Sequence, residues 1–254
     1  MRLNECTEKQ KISLMKEETG YFSSFDGTKL FYRAWEQEAS NALIILHGIG
    51  EHSGRYRDLI ESLSGLPLSF FLYDARGHGH SEGERVYIDS FDDLVEDARS
   101  FRRFIDERRS GQKRNFILVG QSLGGLVATA VALRKQSDWR ALVLFSPFFG
   151  ITYGHSLLFL LASFLNRVSP KSVWKNPIQP MFLTHDQAEV ERYKQDPLIQ
   201  RMITSRMAYE IFRGCVSIRA RAKEISLPLL LLKGGEDHIS SVKEAEDFFA
   251  RTSS

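Results

Sequence analysis

Cysteine and long apolar runs are both scarce in this sequence of 254 residues. Neither Cys6 nor Cys215 has a second cysteine or a histidine at a ligand spacing, so we expect no metal site and no disulfide framework. No run approaches the roughly 18–20 apolar residues that cross a bilayer. The polar N-terminus also lacks the apolar stretch of a signal peptide. These absences predict a protein of the cytoplasm.

An excess of charge of one sign is also absent. Lysine and arginine total 34 against 32 aspartate and glutamate residues, which gives a formal net charge of +2. Because binding to phosphate groups needs a clear basic excess, we do not expect nucleic acid as a partner. The apolar fraction of 43% and the charged fraction of 26% are typical of a folded globular protein.

Short apolar runs bounded by Gly, Pro and Asp alternate with longer amphipathic segments. The runs are nearly continuous, a pattern typical of parallel strands that helices cover on both faces. They are Ala42–Leu46, Ser69–Tyr73, Phe116–Val119, Ala141–Phe145 and Leu229–Leu232. The alternation predicts an α/β fold with a mostly parallel sheet.

An antiparallel hairpin is predicted before these strands, because Asp26-Gly27 separates Tyr21–Phe25 from Leu30–Trp35. The amphipathic segments between the apolar runs predict helices at Arg55–Ser64, Ser90–Arg109 and Leu123–Lys135.

The strand–helix alternation breaks between about Gly150 and Ala222. We interpret residues 150–222 as a helical cap, or lid, inserted into a core of residues 19–149 and 223–254, with a polar N-terminal tail at residues 1–18. The apolar segment Leu157–Leu165 predicts a cap helix that is either buried against the sheet or inserted at a membrane interface. Burial is the interpretation we favour.

The strongest motif is Gly120-Gln121-Ser122-Leu123-Gly124, a G-x-S-x-G between a predicted strand and a predicted helix. In this context the serine occupies a strained turn with its hydroxyl exposed, and small flanking residues let the strand and helix approach closely. The motif predicts that Ser122 is a nucleophile.

Two further segments follow predicted strands at the same edge of the sheet. The loop His47-Gly48-Ile49-Gly50-Glu51-His52 follows the first of them and predicts an oxyanion hole made by the N–H groups of Ile49 and Leu123. Asp237 follows the last strand and comes after Ser122, as the acid of a Ser-acid-His order should. Asp74 precedes Ser122, so we expect it to organise a turn instead.

The sequence resembles the monoacylglycerol lipase and lysophospholipase branch of the α/β-hydrolases, which is also grouped with serine aminopeptidases. Three segments carry the resemblance: the loop from His47 to Tyr56, the turn Asp74-Ala75-Arg76-Gly77-His78-Gly79-His80-Ser81, and Asp196-Pro197-Leu198 in the insertion. It extends from about Gly20 to the end of the chain.

The resemblance implies that a lipid ester is the substrate and that no cofactor is needed. Ser122 would attack the acyl carbonyl, with Asp237 as the acid. Glu51 and Arg55 would shape the polar end of the substrate pocket. In one departure from the family, Gln121 replaces the histidine that usually precedes the serine.

A second departure concerns the base. The family's catalytic histidine lies beyond the acid, after one more helix and strand, whereas this chain ends at Ser254, seventeen residues after Asp237. None of the seven histidines occupies that position, and His238 should point away from the site. We therefore expect the last strand and helix of the fold to be missing, an apolar edge at Leu229–Leu232, and poor activity or none.

Other functions stay open at this stage. A carboxylesterase or an aminopeptidase could use the same scaffold. A catalytically silent binding module, or a truncated hydrolase, is the alternative from another class. The apolar cap segment also leaves open a peripheral location at a membrane.

Overall fold

The computed structural model describes residues 15–108, 114–151, 155–176 and 178–254, without the side chains of residues 155, 156 and 158. Cys6 and most of the predicted polar tail lie outside the described residues. Within them, every helix is too short or too polar to cross a bilayer.

A seven-stranded sheet forms the centre of the molecule, with the strand order β1-β2-β4-β3-β5-β6-β9. Its strands are β1 (Glu17–Ser23), β2 (Lys29–Trp35), β3 (Asn41–Leu46), β4 (Leu68–Tyr73), β5 (Asn115–Gln121), β6 (Ala141–Phe145) and β9 (Leu229–Leu232). The first two strands form the predicted antiparallel hairpin, and β3 to β6 and β9 run parallel to one another. The predicted fold class is confirmed.

Helices cover both faces of this sheet, which explains the continuous apolar runs of its inner strands. The core helices are α1 (Arg57–Leu63), α2 (Phe91–Arg108), α3 (Leu123–Arg134) and α7 (Val242–Phe249). In α3, every residue from Leu123 to Leu133 is buried, because this helix packs between the sheet, α2 and the later helix Ser205–Ala220.

Strand β9 differs from its prediction. Four consecutive leucines predict burial on both faces, but Leu230 is 51% exposed and Leu232 is 44% exposed. Leu230 and Leu232 share one face of this edge strand, and that face is left uncovered, whereas Leu229 and Leu231 pack against the core on the other face. The expected apolar edge is therefore present.

The insertion between β6 and β9 contains α4 (His155–Val168), α5 (Gln187–Gln195) and α6 (Ser205–Ala220). The sequence did not predict the short antiparallel ribbon of β7 (Val173–Lys175) and β8 (Met202–Thr204). Both strands have only three residues, too few to show an alternating pattern.

Helix α4 contradicts the interpretation that it is buried. Its inner side packs on α6, where Phe159 stacks against Tyr209 with ring centroids 6.0 Å apart. Its outer face remains exposed and consists of Leu157, Leu160, Leu161, Phe164 and Val168. Among the described elements, α4 makes its main contacts with α6, so only the side facing α6 is covered.

Candidate active site

Ser122 lies between the end of β5 and the first residue of α3. Its φ of 50° and ψ of −117° are a strained combination for a residue with a side chain. The Ser122 side chain makes no capping hydrogen bond to α3, so the helix does not occupy its hydroxyl. The backbone is fixed instead, because Ser122 N–H donates to Phe145 O at 3.0 Å and Ser122 O accepts from Phe148 N–H at 3.0 Å.

The glycines on either side of Ser122 have a direct steric cause. A Cβ atom on Gly120 would lie 2.3 Å from Gly124 O, and one on Gly124 would lie 2.1 Å from Leu46 O. The turn therefore closes only with glycine at both positions, as the motif predicted.

Two backbone N–H groups beside Ser122 are available to a ligand. Leu123 is the first residue of α3, so its N–H has no acceptor within the helix. Ile49 follows β3 in the loop that lies against Ser122, where a Cβ on Gly48 would sit 3.3 Å from Ser122 Cβ. In the described part of the chain, the Ile49 N–H has no hydrogen-bond acceptor. Both groups are therefore candidate donors for an oxyanion hole.

Glu51 holds this loop from within. Its Oε1 accepts from Gly48 N–H at 2.6 Å and from the Tyr56 hydroxyl at 3.0 Å, and its Oε2 lies 3.6 Å from Arg55 Nε. Burial, together with the adjacent Glu51 carboxylate, raises the pKa of Tyr56 well above its ordinary value. Glu51 therefore lines the cavity, and its carboxylate is already hydrogen-bonded to residues of the loop.

The same loop is joined to the cap by polar contacts. Gly54 N–H donates to His52 Nδ1 at 3.2 Å, so His52 Nε2 carries the proton that it donates to Asp196 Oδ2 at 2.9 Å. Gly50 O accepts from Gln200 N–H at 2.7 Å. Arg55 pairs with Glu189 of α5 and lies over the Tyr193 ring.

Asp74 organises the turn after β4, as expected, and does not reach the cavity. Its fully buried carboxylate accepts from Ser53 N–H at 2.7 Å and from His80 N–H at 2.8 Å. Burial alone raises the pKa of Asp74, but His47 and these hydrogen bonds outweigh it and hold the pKa below the ordinary value.

Asp237 lies in the loop after β9 and is saturated with donors. Its Oδ1 accepts from Ile239 N–H at 2.8 Å and Ser240 N–H at 2.9 Å. Its Oδ2 accepts from Lys233 Nζ at 2.8 Å and the Ser240 hydroxyl at 2.9 Å. Burial raises the pKa of Asp237, but these donors, Lys233 first, bring it below its ordinary value.

A cavity of about 100 Å³ joins most of the predicted residues. Four of them line it: Ile49, Glu51, Ser122 and Asp237. Leu123 and Arg55 do not line it. Leu123 borders a smaller cavity behind the loop, and Arg55 is behind Glu51. The remaining lining residues are Gly48, Gln121, Ser146, Ile178, Phe182, Leu183, Tyr193, Ile239 and Ser240.

Several residues at this site were not predicted. Ser146 has a positive φ of 41° at the end of β6 and lines the cavity, yet its position in the sequence carries no distinctive signal. Ser240 could have been found, because a serine shortly after an aspartate is typical of a turn. Lys233 could not, since only the fold of the loop brings its ammonium to Asp237.

No histidine among the described side chains lines this cavity. His238 is exposed, its ring centroid lies 5.4 Å from that of Phe182, and it does not line the cavity. His47 is turned into the fold, where its Nε2 accepts from Ala75 N–H at 2.8 Å. The position of a base beside Ser122 is therefore not filled by the histidines that the structure describes.

Comparison with known proteins gives a consistent result. Residues 37–254 match the family Hydrolase_4, described as serine aminopeptidase, S33. The chain is 32% identical to human monoglyceride lipase over 238 residues, which cover 92% of this chain and 78% of that protein.

Two further comparisons extend this result. The uncharacterized protein YnbC of Escherichia coli is 29% identical over 91% of this chain, which spans only 40% of that protein. Among solved structures, the monoacylglycerol lipase of Paleococcus ferrophilus superposes with a TM-score of 0.77 at 28% identity, covering 88% of this chain and 84% of that one.

Proposed function

Because the chain belongs to the α/β-hydrolase family described as serine aminopeptidase, S33, we propose that it is a serine hydrolase of carboxylic esters. The observation that carries the proposal is the strained Ser122 beside two free backbone N–H groups. Such an arrangement serves acyl transfer, because it presents a hydroxyl nucleophile next to donors for a developing oxyanion.

The proposed reaction begins with attack of Ser122 Oγ on the ester carbonyl, while the hydroxyl proton passes to a base. The Ile49 and Leu123 N–H groups stabilise the negative charge on the carbonyl oxygen. The alcohol leaves with a proton, and water then releases the acid from the acyl-serine. Asp237 would orient the base, and Glu51 and Arg55 would act by fixing the loop that carries Ile49.

We propose a single-chain lipid ester, such as a monoacylglycerol or lysophospholipid, as the substrate. The names of the human and Paleococcus ferrophilus relatives support this class. The cavity supports it too, because its cap side is apolar, with Ile178, Phe182 and Leu183, while Glu51 and Gln121 make its loop side polar. The apolar side suits the acyl part of such an ester, and the polar side suits a hydroxylated headgroup.

The exposed outer face of α4 supports contact with a lipid surface. Leu157 and Leu160 are 72% and 65% exposed, and Phe164, one turn further on, is 63% exposed. An apolar helix face of this kind is suited to the headgroup boundary of a membrane. Co-sedimentation with phosphatidylcholine liposomes should bring down the chain, and a Leu160→Ser/Phe164→Ser variant should stay in the supernatant.

The test of the nucleophile is covalent labelling of the purified chain with a fluorophosphonate, read by intact mass. We expect one adduct, located on Ser122 and absent from the Ser122→Ala variant. Any ester hydrolysis above the rate in buffer should be lost in the same variant. An adduct of equal yield on Ser122→Ala would contradict the proposal.

The substrate class is tested separately. Long-chain monoacylglycerol should be cleaved in preference to a short-chain ester and to an aminoacyl-arylamide. A preference for the short-chain ester would indicate a carboxylesterase, and a preference for the arylamide would indicate a peptidase.

A second candidate is a hydrolase-like binding module. It is favoured by one observation, that the described histidines leave the position beside Ser122 empty. A chain that binds monoacylglycerol without labelling at Ser122 and without turnover would support this candidate.

A further inference from the structure

We infer that Lys233 is a positioning residue which controls whether Asp237 can orient a base beside Ser122. The inference rests on the proposed function, since only a serine hydrolase requires such a base. It starts from the loop between β9 and α7, where Lys233 and Asp237 form an ion pair with Nζ and Oδ2 2.8 Å apart.

The ion pair is enclosed and fully bonded. The exposed fraction of the side chain is 7% for Lys233 and 13% for Asp237. The ammonium has three N–H donors, and it bonds Asp237 Oδ2, Ser240 O at 2.9 Å and Ser240 Oγ. Every donor of Lys233 is thus used within one loop.

The Asp237 carboxylate is also saturated with hydrogen bonds. Each oxygen of Asp237 accepts two hydrogen bonds, from backbone N–H groups at Oδ1 and from Lys233 and the Ser240 hydroxyl at Oδ2. A carboxylate has about four acceptor sites. An imidazole N–H can therefore bond Asp237 only by replacing one of these donors.

Lys233 is the donor that an imidazole would replace. The two N–H donors to Oδ1 belong to the turn itself and cannot leave without unfolding it. The Ser240 hydroxyl is a second side-chain donor, and it also accepts from Lys233 Nζ. Of these two side chains, Lys233 has the longer and more flexible stem, so it can swing away without moving the backbone. Burial also works against its charged form by lowering its pKa.

The cavity is the place where an incoming ring would reach Asp237. Ser122 and Asp237 both line it, and its volume is about 100 Å³. Because the cavity is small, the probe should be the smallest ring that carries the hydrogen-bonding groups of a histidine. Free imidazole is such a probe for the position of the base.

The experiment compares the unsubstituted chain with Lys233→Met and with Lys243→Met, a matched control that removes an exposed lysine of α7. Imidazole affinity is measured at about pH 8, where imidazole is neutral, from the amide NMR signals of Ile239 and Ser240. Lys233→Met should bind imidazole about tenfold more tightly than the other two chains, because a competing charge-assisted hydrogen bond is gone.

Fluorophosphonate labelling of Ser122 in the presence of imidazole is the functional readout, and it should accelerate by a similar factor in Lys233→Met alone. Equal imidazole affinity in all three chains would overturn the inference. Labelling that is rapid but equal in all three would do so too, while leaving the hydrolase proposal intact. Tighter imidazole binding in Lys233→Met without any labelling of Ser122 would support the role of Lys233 and refute the hydrolase proposal.

A measurement on the unsubstituted chain covers the case in which Lys233→Met does not fold. Saturating imidazole should shift the ¹⁵N signal of the Lys233 ammonium, because the ring displaces it from Asp237. Bound imidazole with an unchanged Lys233 signal would overturn the inference.

Discussion

On the Ser122 side of the cavity, a Cβ atom added to Gly124 would lie 2.1 Å from Leu46 O, whereas one added to Gly235, on the Asp237 side, would meet nothing within 4 Å. Ser122 is held by close packing of β3, β5 and α3. Asp237 is held by hydrogen bonds and one ion pair in the loop after the edge strand β9. The two sides thus use different physical means, and the packed side should tolerate much less change.

Substitution of the glycines should show the largest difference. Gly124→Ala should lower the free energy of unfolding by about 3 kcal/mol, because its methyl group overlaps the Leu46 carbonyl. Gly235→Ala, the matched control in open space, should change it by less than about 0.5 kcal/mol. Chemical denaturation measures both, and equal effects would contradict the comparison.

Low pH should destabilise the fold on the Ser122 side of the cavity, because His78 is buried there behind the loop of Ile49. Burial, followed by the neighbouring His47, lowers the pKa of His78 from 6.5 to about 4. Between these pH values the unfolded chain binds the proton that the folded chain does not, so stability falls as the pH falls through this window.

The loss assigned to His78 should reach about 3 kcal/mol near pH 4. In a His78→Gln variant, the free energy of unfolding should therefore depend less on pH between about 6.5 and 4. Denaturation curves at several pH values test this, and parallel pH profiles for the two chains would refute the role given to His78.

The backbone strain at Ser122 should have a smaller effect on stability, and it should make a glycine variant more stable than an alanine variant. Glycine normally destabilises a protein relative to alanine, but a positive φ removes that penalty. Because Ser122 has a φ of 50°, Ser122→Gly should be more stable than Ser122→Ala by about 1 kcal/mol. Thermal melting of the two variants tests this, and a more stable alanine variant would show that the turn stores no strain.

The sequence predicted the packed side of the site well because its signals are local. A strand, a G-x-S-x-G and an apolar helix occupy consecutive residues, so Gly120, Ser122 and Gly124 could be assigned without knowing the rest of the fold. The glycine-rich loop with Ile49 was found for the same reason. The turn built by Asp74 was predicted from its place in the chain.

The acid side was predicted only in part. The sequence identified Asp237 from its position after the last strand, but not the Lys233 and Ser240 side chains that occupy its carboxylate. The apolar pattern also predicted burial on both faces of β9 and burial of α4, whereas Leu230, Leu232 and the outer face of α4 are exposed. Exposure depends on which elements become neighbours, and residues distant in the chain decide that.

The sequence by itself therefore determined the α/β fold, the strained turn at Ser122 and the loop of Ile49. Close packing and backbone strain require particular residue types at neighbouring positions, so these features can be recognised from the sequence. Tertiary structure alone decided that Glu51 bonds the loop, that α4 presents leucines to solvent, and that Lys233 pairs with Asp237. Each of these depends on distances between side chains, which a linear pattern of residue types does not contain.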